Sequence, residues 1–400
     1  MPNWIWQHPQ WPHFGWQAET LAPLLRRLTL AQGTLLGRAR GSDPALQAEF
    51  SLDALLQNIV NSSAIEGESI NVESVRSSLA RRLGLQQADA APPEDRSEGL
   101  ARIMWDATSN LAAPLSEARL LQWHEWLFAG DDGFLGRKIR IGDWRGPEPM
   151  QVVSGHIDRP TVHFEAPPRA GLESRIGEFV AWFNASRSEA ALDPLLRAAI
   201  AHFWFVTLHP FDDGNGRITR ALTDLALAQG EQQSIRFYAM SVAILADRKG
   251  YYRQLESAQK TAAPDEALDL TPWLHWFLGT LQQAIDGALA QIDRVLGKSR
   301  FWLAHREQSL GPEQIKVLNR LLDGNQAGRG GFPEGISAAQ YQALTKVSKA
   351  TATRHLVDLV DKGCLIRLPG GGRNTRYRIR WSAEGQPLAV PLSPSPSTAG

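Results

Sequence analysis

The chain has 400 residues, too many for one ordinary hydrophobic core, so two or three domains are expected. Hydrophobic residues make up 43% and charged residues 21%, the balance of a soluble globular protein, and Lys+Arg and Asp+Glu both number 42, so net charge singles out no partner. The one cysteine, Cys364, excludes an internal disulfide framework and fits a reducing cytosol. The opening MPNWIWQHPQWPHFGW lacks the basic start and apolar run of a signal peptide, and no apolar stretch is long enough to cross a bilayer. A cytoplasmic protein without a membrane partner is the expectation.

Taken in chain order, residues 1–20 carry four tryptophans, Trp4, Trp6, Trp11 and Trp16, among prolines and histidines. An irregular aromatic arm is expected, its indoles either buried on a neighbouring helix or left as a partner-docking arm. From about Thr20 the texture turns helical, with apolar residues three and four apart in AETLAPLLRRLTLAQGTLLGRA. Ser51 to Gly67 repeats the pattern, with Leu52, Leu55, Leu56, Ile59 and Val60 on one stripe. Ser51 reads as its N-cap and Gly67 as its stop. LQQADAAPPEDRSEG reads as a loop, and helical patterns resume near Leu100 and run to Leu127. The Gly- and Pro-rich run from Gly136 to Pro168 breaks them, and its β-type stretches at Gln151–Ser154 and Thr161–Phe164 predict a β-hairpin. Helices are expected at about 170–187 and 192–208, another after Gly214, and more through Ile292.

The last region differs. GPEQIKVLNRLLDG, SAAQYQALTKV and SKATATRHLVDLVDKG predict three short helices, and CLIRLPGGGRNTRYRIRW predicts a hairpin with a Gly-rich tip. That is the order of a winged helix. Between Pro312 and Arg380 twelve Lys/Arg stand against five Asp/Glu, a local basic bias. The Pro/Ser/Gly composition of residues 382–400 predicts a disordered tail.

The densest polar stretch is HPFDDGNGRITR, His209 to Arg220. His209 ends an apolar helix at a proline, and a neutral imidazole held at such a rim can accept a proton from an attacking hydroxyl. Phe211 is the apolar anchor of the loop. Asp212 and Asp213 are adjacent, so they do not aim at one site, and one can hold Mg²⁺, which prefers carboxylate and phosphate oxygens. Gly214-Asn215-Gly216 permits backbone angles barred to other residues. Its N–H groups can converge at the start of the next helix as an anion cradle. Arg217 and Arg220 share a face of that helix, and each can fork onto phosphate oxygens. Singly, these pieces read as a capping turn and a solvated face. Together within twelve residues they read as a phosphate-handling site with a base at its mouth.

The stretch resembles the Fic signature, H-P-F-x-(D/E)-G-N-G-R-x-x-R, and fills every fixed position. The resemblance implies a mainly α fold: a Fic-type helical core with a β-hairpin flap, an N-terminal helical extension and a C-terminal winged-helix domain. The expected division is 1–95, 100–295, 310–380 and a tail at 382–400. It implies transfer of AMP from ATP, with Mg²⁺, onto a protein hydroxyl. His209 then resembles the general base and Asp213 the Mg²⁺ ligand. Gly214, Asn215, Gly216 and Arg217 resemble the α- and β-phosphate site, and Arg220 the γ-phosphate arginine. QVVSGHIDRPTVHFEAPP resembles the flap that pairs with the target backbone, through Val153, Ser154, Gly155, His156, Thr161, Val162 and His163. Tyr252, and with it Tyr251, resembles the adenine-pocket contact, with plain core packing as the other reading of the pair.

Upstream, Ser62 and Glu66 share a helix face in SSAIEG. With Gly67 they resemble the inhibitory motif (S/T)-x-x-x-E-(G/N), in which the glutamate holds the second signature arginine, here Arg220. The WIWQ arm and the helices after it look like the extra N-terminal domain of many bacterial Fic proteins. Three functions stand side by side: an autoinhibited adenylyltransferase acting on a target or on itself; an enzyme that removes AMP, or works in both directions; and a nucleotide-sensing, DNA-binding regulator using its winged helix. A homodimer is a further expectation from the family.

Overall fold

The computed structural model describes residues 4–85, 92, 94–130, 139–156, 159–233, 237–260, 267–324, 332, 334–370 and 375–381. The chain divides by its contacts into two units, Met1–Ala288 and Leu289–Gly400.

The first unit is helical around one hairpin. Its elements are α1 (Ala18–Arg40), α2 (Pro44–Ile65), α3 (Val72–Arg82), α4 (Asp95–Ser109), α5 (Glu117–Leu127), β1 (Gln151–His156), β2 (Arg159–Glu165), α6 (Leu172–Ala185), α7 (Pro194–Leu208), α8 (Asn215–Glu231), α9 (Met240–Ala246) and α10 (Arg248–Gln259). The chain crosses residue 288 within α11 (Thr271–Ala304). At the centre stands α7, apolar all round and buried from Leu195 to Leu208. Asp193 starts it, accepting from the Leu195 N–H at 2.8 Å with Pro194 in the first turn. Its partner α8 runs alongside, and α2 packs on both α8 and α9. The helices before residue 95 therefore sit within the same compact unit as α7 and α8.

Two local expectations change. Ser51 does not cap α2. The helix begins eight residues earlier with Pro44 at its first turn, Asp43 accepts from the Ala45 N–H at 2.8 Å, and Ser51 is buried mid-helix. The Asp-Pro pair is the stronger start signal, because proline preorganises the first turn and lacks only an N–H that would be free anyway. The aromatic arm lies on several elements rather than on one helix. Trp4 is buried edge-on against Phe164 of β2 at 5.4 Å, the Trp6 indole N–H donates to the Glu165 carbonyl at 2.7 Å, and Trp11 and Phe14 meet Trp204 and Phe203 of α7.

β1 and β2 pair antiparallel from Gln151–Glu165 to His156–Arg159, with a register shift between Val152 and Val153. They run further than the two predicted β stretches.

The second unit holds α12 (Pro312–Leu322), α13 (Ala338–Thr345), α14 (Lys349–Asp361) and an antiparallel pair, β3 (Leu365–Arg367) with β4 (Tyr377–Ile379). Ile336, before α13, bridges to Tyr377 and adds a third edge. Its own core gathers Phe301, Val317, Leu318, Tyr341, Leu356 and Leu359. Cys364 is buried there, and burial pushes its thiol up to about 11, so it stays a protonated, inert thiol. The centre of the Gly-rich tip and the 382–400 tail lie outside the described residues. Among the described residues no helix is long and apolar enough to cross a membrane.

Candidate active site

The site is built where α7 ends and α8 begins. His209 caps α7 in the left-handed region (φ 48°), unusual for a residue with a Cβ. Three contacts hold this turn. The Arg145 backbone N–H donates to the Pro210 carbonyl at 2.9 Å, its Nε to the His209 carbonyl at 2.9 Å, and its guanidinium to the Pro167 carbonyl. Arg145 is 1% exposed, so this is a buried cation spent on backbone carbonyls. The His209 Nδ1 lies 3.2 Å from the Val206 carbonyl, which can only accept. Nδ1 therefore carries the proton and Nε2 keeps a lone pair. Burial holds the imidazole down at about 4, against an upward pull from the Val206 bond, and it is neutral across the physiological range.

Phe211 is fully buried and stacks on His124 at 4.2 Å and 11°. His124 accepts the Gly142 N–H on Nδ1, which leaves Nε2 to donate to the Asp213 carbonyl at 3.2 Å. Burial lowers it to about 4. Asn215 turns its side chain back onto the loop: its Oδ1 accepts the Phe211 N–H at 2.9 Å and its Nδ2 donates to the Phe211 carbonyl at 2.8 Å. The two aspartates separate as expected of neighbours. Asp212 accepts the N–H groups of Arg140 and Gly146, each at 3.1 Å, and so anchors the 139–146 segment. Asp213 is half exposed, accepts the Gly214 N–H at 2.6 Å and lies 3.7 Å from Arg217.

Gly214 (φ 81°) starts α8, and no side chain caps it. The N–H groups of Asn215, Gly216 and Arg217 precede the first intrahelical bond, Ile218 to Gly214, so they are free to bind an anion. Arg217 is 5% exposed, and its Nε and Nη2 have no hydrogen-bond partner. Buried donors left open beside free helix N–H groups are able to take an anion.

Onto this cradle comes the end of α2. Gly67 takes φ 81°, and its N–H bonds the Ala64 carbonyl while the Glu68 N–H bonds the Ser63 carbonyl. This double closure needs a residue without a Cβ at Gly67. Glu66 then pairs with Arg220, Oε1 to Nη2 at 2.8 Å, and Ser62 takes the Arg220 Nε on its hydroxyl at 2.8 Å and Nη2 on its carbonyl at 3.0 Å. Burial pushes the Glu66 carboxyl up, but Arg220, Arg217 and His209 together bring it below its ordinary value. Arg220, lowered by burial and raised by Glu66, ends above its own. A Cβ on Gly216 would sit 2.1 Å from Glu66 Oε1, so the carboxylate rests directly against the cradle backbone. Two residues on, Glu68 pairs with Arg217 and with Arg96.

A cavity of about 660 Å³ opens from this point, lined by Glu66, His209, Gly216, Tyr252, Ser154 and His163 among others. Tyr252 is 37% exposed, its hydroxyl 3.4 Å from Glu66 Oε2 and Arg248 over its ring. Tyr251 also lines this cavity but is 1% exposed, with its hydroxyl 3.0 Å from His202 and its ring against Trp276. On the hairpin, Val153, Ser154, Thr161 and Val162 are exposed and His163 is half-buried, while the side chains of Gly155 and His156 lie outside the described residues. Among the described residues no cluster of three or more His, Cys, Asp and Glu could hold a metal by itself. Glu68, Arg145, His124 and Asn58 escaped the sequence reading. Only Glu68 carried a signal, as a second acid next to Gly67.

Residues 114–227 match the Fic/DOC family, and residues 4–85 match a domain of unknown function, DUF4172. The chain carries a Fic/DOC family domain. Its match opens just before α5 and closes within α8, so the Fic domain contains His209, the cradle and both arginines. Relatives described as Protein adenylyltransferase Fic include one from Culex quinquefasciatus, 25% identical over 240 residues, and one from Drosophila mojavensis, 26% identical over 239. Each match covers 58% of this chain and 41% of the relative, so the Fic domain and its surroundings span about two fifths of those proteins. Similar solved structures include a Fic family protein from Desulfovibrio desulfuricans G20, at 20% identity and TM-score 0.48, covering 91% of this chain and 97% of that one. Another is a Fic domain containing signaling protein from Bacteroides thetaiotaomicron VPI-5482, at 18% identity and TM-score 0.48, covering 67% and 97%.

Proposed function

We propose that this protein is an autoinhibited adenylyltransferase that moves AMP from ATP to a Ser, Thr or Tyr hydroxyl of a protein. One observation carries the reading: a neutral histidine with its free nitrogen and Gly216 of a helix-start cradle line one cavity, Arg217 keeps open donors on the same helix start, and a glutamate lies across the cradle. The ATP phosphates take the free N–H groups of Asn215, Gly216 and Arg217 and the two guanidinium groups. The adenine lies beside Tyr252 in this reading. His209 Nε2 removes the hydroxyl proton, the oxygen attacks the α-phosphate, and pyrophosphate leaves. Asp213 would hold Mg²⁺, which when bound would supply charge neutralisation at the phosphates. The exposed hairpin edge positions the target strand by backbone pairing.

Glu66 is the inhibitor in this reading. While it holds Arg220, that guanidinium cannot grip a γ-phosphate, and its charge repels one. The test is transfer from ATP labelled on the α-phosphate, with Mg²⁺ and cell lysate as target. Glu66→Gly is expected to label lysate protein at least about tenfold faster than wild type, the equivalent of removing about 1.4 kcal/mol of barrier. Glu66→Gly combined with His209→Ala is expected to leave lysate protein unlabelled. Equal labelling by wild type and Glu66→Gly would remove the inhibitory role.

A second reading, DNA binding by the second unit as a winged helix, is favoured by one observation. The first half of α14 carries the exposed Lys349 and Arg354, and Arg367, Arg378 and Arg380 are exposed on and beside β3 and β4. A helix start entering the major groove with cations on the flanking phosphates would use this arrangement. A duplex DNA shift that weakens steeply with salt, and is lost on Lys349→Glu with Arg354→Glu, is the expected result. No shift at low salt would overturn it.

A further inference from the structure

The hairpin carries a second acid–base array that the transfer mechanism does not use. The Ser154 hydroxyl is 2.6 Å from His163 Nε2, and His163 Nδ1 is 2.9 Å from Glu256 on α10. Glu256 also takes the Lys260 ammonium at 2.6 Å. A carboxylate can only accept from the ring here, so Nδ1 carries the proton. Nε2 is left as the acceptor of the Ser154 O–H. This is the order of an activated hydroxyl: nucleophile, base, and a carboxylate that fixes the tautomer of the base. The Glu256 carboxyl is drawn below its ordinary value, chiefly by Lys260, with burial opposing and His163 adding, so it stays charged to orient the ring. Ser154 is exposed, while His163 and Glu256 are each about one-third exposed, and all three line the cavity that also holds His209 and Gly216.

An activated hydroxyl facing a nucleotide cavity has a chemical use. We infer that Ser154 is an internal acceptor of the transferred nucleotide, with His163 as its own base. The inference rests on the adenylyltransferase reading. In the step, the Ser154 oxygen attacks the α-phosphorus of ATP, and a Ser154 Oγ–P bond forms as the bond to the β-phosphate breaks. Pyrophosphate leaves, and the hydroxyl proton passes to His163 Nε2. The product places a bulky anion on the exposed hairpin edge. In this state the edge no longer presents free strand geometry to a target, so self-modification at Ser154 competes with transfer to other proteins.

The experiment uses full-length Glu66→Gly protein, because Glu66 sits at φ −83° and a glycine is accepted there without strain. It is incubated with Mg²⁺ and α-phosphate-labelled ATP, with and without lysate, and the labelled peptides are mapped by mass spectrometry. The expected result is label on the Ser154 peptide. That label should be lost on Ser154→Ala, regained on Ser154→Thr, and reduced at least tenfold relative to label at all other sites on His163→Ala. Label on lysate proteins or elsewhere on the chain, with none at Ser154, overturns this inference alone. Label at Ser154 that is indifferent to His163→Ala overturns the base assignment. No label on any protein overturns it together with the adenylyltransferase reading.

Discussion

Glu66 and Glu68 stand either side of Gly67, and each carboxylate takes one arginine of α8. The left-handed glycine makes this possible, because it reverses the chain just as α2 ends and turns both acids toward the same helix. The two pairs are not equivalent. Glu66 lies against the cradle itself, whereas Glu68 holds Arg217 from the side and shares its charge with the exposed Arg96. Glu68→Gln is therefore expected to raise transfer less than Glu66→Gly does. A charge-assisted bond at a partly exposed site is worth about 1 kcal/mol, or about fivefold in rate. The labelled-ATP assay measures it. A second residue-scale expectation concerns pH. His209 is lowered to about 4, so in the proposed mechanism its ring would stay able to accept a proton far below the ordinary histidine range. In Glu66→Gly, which removes a carboxylate that raises the ring, the acid limb of kcat/KM should fall at about pH 4 or below, and a limb at 6.5 would mean an ordinary exposed imidazole in its place.

At the scale of elements, α2 matters as an arm that can bring its end to α8 only if its middle is held. Asn58 does the holding: its amide donates to Asp224 of α8 and its carbonyl accepts the Ser241 N–H of α9 at 3.1 Å, all within the core. Asn58→Leu keeps the bulk and removes both bonds. It is expected to cost about 2–3 kcal/mol in urea unfolding, since two buried hydrogen bonds are lost within the core. It should also raise transfer by loosening Glu66. The segment before the hairpin has a comparable dependence on one side chain. Arg145 spends its donors on the carbonyls of His209 and Pro167. Arg145→Ala should lower kcat at least tenfold with little change in ATP affinity, because it frees the turn that aims the base and touches no phosphate.

For the whole molecule, the buried His124 and His202 and the half-buried His209 shape how stability responds to acid. His124, His202 and His209 are held by burial at about 4, 3 and 4. Folded, they stay neutral; unfolded, they take protons below about 6.5. Protonation of the unfolded chain then draws the equilibrium toward unfolding. Their contribution is complete above pH 6.5 and is lost progressively as pH falls toward 4. The urea midpoint should therefore drop steadily over that window, and His202→Gln should flatten part of the drop. A midpoint constant from pH 7 to 4.5 would contradict the burial of these rings.

Much of this was legible in the one-dimensional chain because it depends on neighbours in sequence. A helix that is apolar all round, a His-Pro break and Gly-Asn-Gly before two arginines three apart specify α7, the turn and the cradle through local backbone rules alone. Gly67 likewise announced the end of α2, and the alternation around Gln151 and Thr161 announced the hairpin. α2 starts at Asp43-Pro44 rather than at Ser51, because Ser51 is a good cap in isolation while Asp43-Pro44 is a better one. What only the tertiary structure decided are the long-range pairings. Glu68 meets Arg217 across 149 positions and His163 meets Glu256 across 93, whereas the Glu66–Arg220 pair, 154 positions apart, was expected only through the motif resemblance. Spacing cannot reveal such partners, because an acid on a helix end and an acid locked to a buried arginine look alike in sequence. Which of the two it is depends on where packing brings the other helix, and that is set by the core that α2, α7, α8 and α9 bury together.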